Sequence, residues 1–188
     1  LVGENVYKPM ISDVVQGTIF EQNGFKSGDE IATINGKKIN SAAQAHEILI
    51  CSYIKGDSVE VVTLDNKKAN VNFSGEKLGE FKNPGEQIGI YVAGKFGKIT
   101  IQNVVKDGVA DLGGMKKGDV ITALDGIKMN NVSRVINTIG YTKKEAVDFT
   151  ILRDGKEQII TLTPKYNDNS KRKLVGIEMV AEDGDGNA

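Results

Sequence analysis

Tryptophan is absent from this 188-residue chain, and cysteine and histidine occur once each. A lone Cys51 excludes an intramolecular disulfide. It reads as a buried helix residue rather than a nucleophile, because His46 is the only imidazole available to activate it. One histidine is also too few for H-E-x-x-H, the helical pattern that brings two imidazoles to one zinc ion. Aromatic residues make up only 6%, the net charge is −1, and no block of basic residues occurs. Nucleic acid as a partner is therefore not expected, since it calls for basic patches and stacking side chains. No run approaches the roughly 18 apolar residues of a membrane span. No signal peptide is legible, and Leu1-Val2-Gly3 reads as a start inside a domain, so the chain is expected to be a soluble part of a longer protein.

What the sequence does hold is glycine, 22 residues of it, in a chain that is 39% hydrophobic and 26% charged, the composition of a turn-rich globular β protein. The glycines fall into a repeat. Gly24-Phe25-Lys26-Ser27-Gly28-Asp29-Glu30-Ile31-Ala32-Thr33-Ile34-Asn35-Gly36 returns as Gly114-Met115-Lys116-Lys117-Gly118-Asp119-Val120-Ile121-Thr122-Ala123-Leu124-Asp125-Gly126, every position 90 residues after its counterpart. Both copies read as a short helix ended by glycine, a Gly-Asp turn, an apolar strand and a type I′ turn at Asn35-Gly36 or Asp125-Gly126. Such a spacing predicts two small domains, each able to hold its own core.

Hydrophobic periodicity then lays out each copy. Strands are predicted at 8–15 and 29–35, a short helix capped by Thr18, a longer helix from Asn40 or Ser41 to about Tyr53, and a hairpin of 58–64 with 68–73. Residues 74–85 read as the connection between domains. The second copy is predicted to open with a strand at 87–92 and to continue with strands at 98–105 and 119–125. A helix over 131–142 and a hairpin of 146–152 with 156–163 follow. Residues 164–173 read as a polar loop, 174–177 as a return to strand, and 183–188 as an acidic tail. The expected domains are thus 1–84 and 85–182.

The run apolar-x-x-Gly-Asp-x-Ile followed by Asn/Asp-Gly resembles the heart of a bacterial PDZ domain. The resemblance implies a mainly β fold with short helices: two partly open β-barrels or sandwiches of the circularly permuted bacterial type. PDZ domains bind extended peptides, often free C-termini, by adding a strand to a sheet edge. Ile88-Gly89-Ile90 before the second copy, and Thr163-Pro164 followed by Val175-Gly176-Ile177, are similar to the tandem PDZ region of RseP-type site-2 intramembrane metalloproteases. That resemblance implies a non-catalytic module without cofactor, facing the periplasm or cell exterior and attached to an absent membrane domain that carries the zinc. Its partners would be C-terminal or extended peptide segments of membrane-protein substrates whose outer domain has already been cleaved. The module would filter or recruit these by size exclusion, by peptide binding, or both. Leu124-Asp125-Gly126 has the letters of that family's third zinc-ligand motif but sits in a strand and turn, which makes it structural.

Within the resemblance, the second domain's groove would join the amides around Ile88, Gly89 and Ile90 and the strand edge to Val92 with a helix wall of Val132, Val135, Ile136 and Ile139. The first domain's wall would be Ala42, Ala45, His46 and Leu49, with His46 able to bond a peptide side chain. Asp29 and Asp119 are read as turn-formers rather than an acid–base pair. Asp183-x-Asp185-x-Asn187 starts like a calcium loop but lacks the required Gly and Glu, and Asn131-Val132-Ser133 is explained by a helix start. Two other readings belong to different classes. A peptide-sensing pair in an HtrA-type serine protease would need a Ser-His-Asp domain upstream. A C-terminal processing peptidase would carry a single PDZ copy.

Overall fold

The computed structural model describes residues 6–74 and 83–183. Leu1-Val2-Gly3, most of the expected connector, the calcium-like triplet beyond Asp183 and the rest of the tail lie outside the described residues. The chain divides into two compact units, Leu1–Gly94 and Lys95–Ala188.

In the first unit, β1 (Ile11–Val14) leads to the one-turn helix α1 (Ile19–Gln22) and to β2 (Ile31–Ile34). Thr18 takes the N-cap position, but its hydroxyl donates to the Val15 carbonyl at 2.7 Å instead of accepting from the helix. A single turn offers it little to cap. Asn35-Gly36, with φ of 52° and 75°, makes the predicted type I′ turn into β3 (Lys37–Lys38). Helix α2 (Ala42–Lys55) starts where the Ser41 hydroxyl accepts from the Gln44 amide at 3.1 Å and stops at Gly56, whose φ of 72° is left-handed. Strands β4 (Ser58–Thr63) and β5 (Lys68–Asn72) complete a sheet ordered β3-β2-β4-β5. Pro84–Ile88 forms a short helix, α3, and Ile90–Val92 is strand β6, which pairs antiparallel with β1.

The second unit repeats this order with better-formed strands. Gly97–Val104 is β7, Val109–Leu112 is α4, Val120–Leu124 is β8 and Ile127–Lys128 is β9. Helix α5 (Val132–Tyr141) is capped by the Asn131 side chain. A hairpin of β10 (Val147–Arg153) and β11 (Lys156–Leu162) follows. The stretch 164–173, expected as a polar loop, instead contributes most of a second hairpin, β12 (Lys165–Asn167) with β13 (Arg172–Leu174). Strand β14 (Ile177–Asp183) then pairs with β7. The sheet runs β11-β10-β8-β7-β14, with β9 on β8, so β14 is an edge strand.

Each unit has its own core. Ile11, Phe20, Ile31, Leu49, Val61 and Phe73 pack with Ile88 and Ile90 in the first. Ile99, Ile101, Ile121, Val135, Phe149 and Ile151 pack in the second. The expected boundary at 84/85 is thereby corrected: α3 and β6 close the first unit instead of opening the second. The cause is topological. In each unit the strand beside β1 or β7 arrives from the C-terminal end, so a reading in chain order assigns it to the wrong copy. Asp29 and Asp119 hold their turns as expected, accepting from the Lys26 and Lys116 amides at 2.9 and 2.8 Å. Each also meets a cation from the far hairpin, Lys67 at 2.7 Å and Arg153 at 2.7 Å.

Candidate peptide groove

Strand β14 carries its unpaired edge along α5. At the start of that edge lies a cavity of 290 Å³, walled by Val105, Ile136, Ile139, Leu174, Val175, Gly176, Ile177 and Met179, with Arg172 and Lys173 at its rim. Its apolar walls and open strand edge suit one apolar side chain on an extended backbone.

The approach to β14 is rich in donors. The Val175 and Gly176 carbonyls accept from Ala110 and Val105, both at 2.9 Å, whereas their amide N–H groups find no acceptor among the described residues. Gly176 has φ of 80°, a conformation an L side chain strains to adopt. The β12–β13 hairpin adds charge. Arg172 lies across Gly140 of α5, and its buried Nε has no hydrogen-bond partner. Lys173 is held by donating its Nζ to the Thr142 carbonyl at 2.8 Å. Residues 172–176 thus carry a guanidinium, an ammonium and two backbone amides, the donor types that an anionic group calls on.

The corresponding place in the first unit is built differently. Ile88-Gly89-Ile90 is the earlier copy of Val175-Gly176-Ile177, but it is preceded by helix α3. The Gly89 amide caps that helix, donating to the Gly85 carbonyl at 2.9 Å. Glu86 sets a carboxylate in the same turn, bonded by the Tyr91 hydroxyl at 2.8 Å. Gly85 is required here, because a Cβ would stand 2.3 Å from the Tyr91 ring. A terminal carboxylate meets a committed amide and a like charge. A cavity of 490 Å³ does open at the other end of the strand, lined by Val6, Tyr7, Ser41, Ala42, Ala43, His46, Val92, Ala93 and Gly94.

The structure thus sorts the expected site residues into two places. Ile88, Gly89, Ile90 and Val92 belong to the first unit, and Val132, Val135, Ile136 and Ile139 belong to the second. In the α5 stripe, Ile136 and Ile139 line the cavity, Val135 is wholly buried in the core, and Val132 packs against that core. On α2, Ala42 and His46 border the first unit's cavity, Ala45 and Leu49 are core residues, and Cys51, expected to be buried, is exposed. Arg172, Lys173 and the stretch 174–177 were missed as site residues. The signal available was the Val-Gly-Ile copy of Ile-Gly-Ile.

Residues 86–163 match the family model of the PDZ domain. The zinc metalloprotease RasP of Geobacillus kaustophilus is 35% identical over 68 residues, 36% of this chain and 16% of that protein. A Vibrio cholerae protein named as a zinc metalloprotease is 22% identical over 96% of this chain and 41% of its own length. Residues 86–163 are thus similar to the PDZ domain, and the chain is similar, over part of their length, to proteins named as zinc metalloproteases. It spans well under half the length of these curated relatives. Among solved structures, the PDZ domain of the SdrC-like protein from Listeria monocytogenes is similar, with a TM-score of 0.40 and 22% identity over 44% of this chain and 86% of that one. The family match is out of step with the compact unit that begins at Lys95, because it takes in β6 and stops short of β14. No three His, Cys, Asp or Glu side chains among the described residues come together in a way that could hold a metal. No helix among them is long and apolar enough to cross a membrane.

Proposed function

We propose that the groove between β14 and α5 binds a free C-terminus ending in an apolar residue. The observation that carries this reading is the pairing of unpartnered Val175 and Gly176 amides with the partnerless Arg172 Nε at the mouth of an apolar cavity on an edge strand. The peptide would add antiparallel to β14, with its carboxylate on the amides and its last side chain between Ile136, Ile139 and Ile177. One pocket and a few backbone bonds predict weak binding, on the order of micromolar or weaker, once ordering of the peptide is counted.

On this reading the chain would act as the tandem PDZ module of an intramembrane zinc metalloprotease, outside the cytoplasm and beside a membrane domain that performs the chemistry, a reading supported by its likeness to part of proteins named as zinc metalloproteases. There it would recruit or filter membrane-protein stubs whose new C-terminus was made by an earlier cleavage. Bulk exclusion by the pair would act alongside binding and requires no affinity.

Fluorescence anisotropy with a labelled hexapeptide ending in valine tests the groove. The free acid should bind, and its C-terminal amide should bind at least tenfold more weakly. Arg172→Ala should weaken the acid by roughly fivefold or more, the range of one charge-assisted hydrogen bond. Equal binding of acid and amide would remove the carboxylate from the account.

A further inference from the structure

On that reading, the amides of Val175 and Gly176 fix the register of the bound peptide. The last side chain enters the cavity beside Ile177 and Met179. Side chains alternate along a strand, so the penultimate one falls on the opposite face, against β14 residue Glu178. Glu178 is exposed, and opposite it on β7 stands the neutral, exposed Asn103. Glu178 has no ion-pair partner among the described residues, in contrast to Glu182 further along, which meets Lys98 at 3.7 Å. The groove therefore presents cations where the peptide ends and one uncompensated anion a single residue before that end.

We propose that Glu178 reads the penultimate residue, and that the groove prefers C-termini in which a lysine or arginine precedes an apolar last residue. This charge order follows from the fold. The β12–β13 hairpin places Arg172 and Lys173 at the carboxylate end, and the first outward-facing residue of β14 is acidic. Opposite charges directly across neighbouring strands attract, and like charges repel. A C-terminus with an acidic penultimate residue would enjoy the amides and lose at Glu178. The preference concerns substrate class and adds nothing to catalysis.

The test titrates the whole chain with three free-acid peptides that end in valine and differ only in a penultimate Lys, Gln or Glu. On the native chain the Lys peptide should bind roughly two- to fivefold tighter than the Gln peptide, and the Glu peptide weaker by a similar factor, the range of one exposed cross-strand pair. Glu178→Lys should reverse the order, and Glu178→Gln should flatten it. Raising the salt to about 0.5 M should shrink the spread through screening. Glu178 is exposed, so neither variant disturbs a core. Equal affinity of the three acids, or an order unchanged in Glu178→Lys, overturns the inference. If the amidated peptide is still rejected in that case, the C-terminal reading stands alone. If acid and amide bind equally, or no peptide binds at millimolar concentration, both fall.

Discussion

Asp119 is almost fully buried, yet its carboxyl lies below the ordinary carboxylate range. Burial pushes it up, and this is outweighed by the Arg153 hydrogen bonds, the Lys116 amide and the Arg153 charge together. A group whose folded pKa is depressed stabilises the fold above its unfolded value, about 3.9, and that stability drains away as pH falls through the folded value. The second unit should therefore lose stability with a steep limb below about pH 4. Asp119→Asn should flatten that limb in urea melts followed between pH 2 and 7. Asp119→Ala should lower stability at pH 7 by about 2–4 kcal/mol, since it strands the Arg153 guanidinium and the Lys116 amide. An unchanged acid limb in Asp119→Asn would show that the turn owes its stability to other groups. At Gly176, the left-handed φ of 80° and a Cβ position 3.3 Å from Val105 make Gly176→Ala costly, about 1–2 kcal/mol. The same change should weaken the free-acid peptide at least tenfold, because the amides rotate away.

At the level of elements, the repeat made the strands β2 and β8, both main helices and the β4–β5 and β10–β11 hairpins legible. Their signals are local: an Asn-Gly or Asp-Gly turn, a Ser or Asn cap, an alternating apolar run. Ser41→Ala should accordingly destabilise the first unit by about 1 kcal/mol, readable as a lower midpoint for probes in α2. The β12–β13 hairpin was not legible, because Tyr166-Asn167-Asp168-Asn169-Ser170 looks like solvent-facing loop and its strands are three residues long. Strand β6 failed for another reason. Ile90-Tyr91-Val92 is visibly a strand, but nothing in three residues says which sheet it joins. Partner choice is a long-range matter, settled here by Ile11, Phe20 and Leu49 packing against Ile88 and Ile90. The expected groove therefore draws on both units, with Ile88, Gly89, Ile90 and Val92 in the first and the helix stripe Val132, Val135, Ile136 and Ile139 in the second.

For the molecule as a whole, the boundary after Gly94 has a direct consequence. A fragment of residues 1–94 retains β6 and the Ile88 and Ile90 side chains, and should give a cooperative thermal transition with dispersed amide resonances. A fragment of residues 1–84 leaves β1 unpaired and removes two buried isoleucines, each worth about 2–5 kcal/mol when truncated. That loss rivals the total stability of a small domain, so the shorter fragment should be largely unfolded. The result would invert if the family match beginning at residue 86 marked the true folding unit.

A free C-terminus is proposed to dock between β14 and α5, where the Val175 and Gly176 amides are unpaired, and not beside β6, where the Gly89 amide already caps α3. Amide chemical shifts of the full chain, followed during titration with a valine-ending hexapeptide, test it most directly. Saturable shifts should concentrate at 174–179 and at Ile136 and Ile139, leave 88–92 unmoved, and vanish for the amidated peptide. Shifts centred on 88–92, or none in either unit at millimolar peptide, would contradict it.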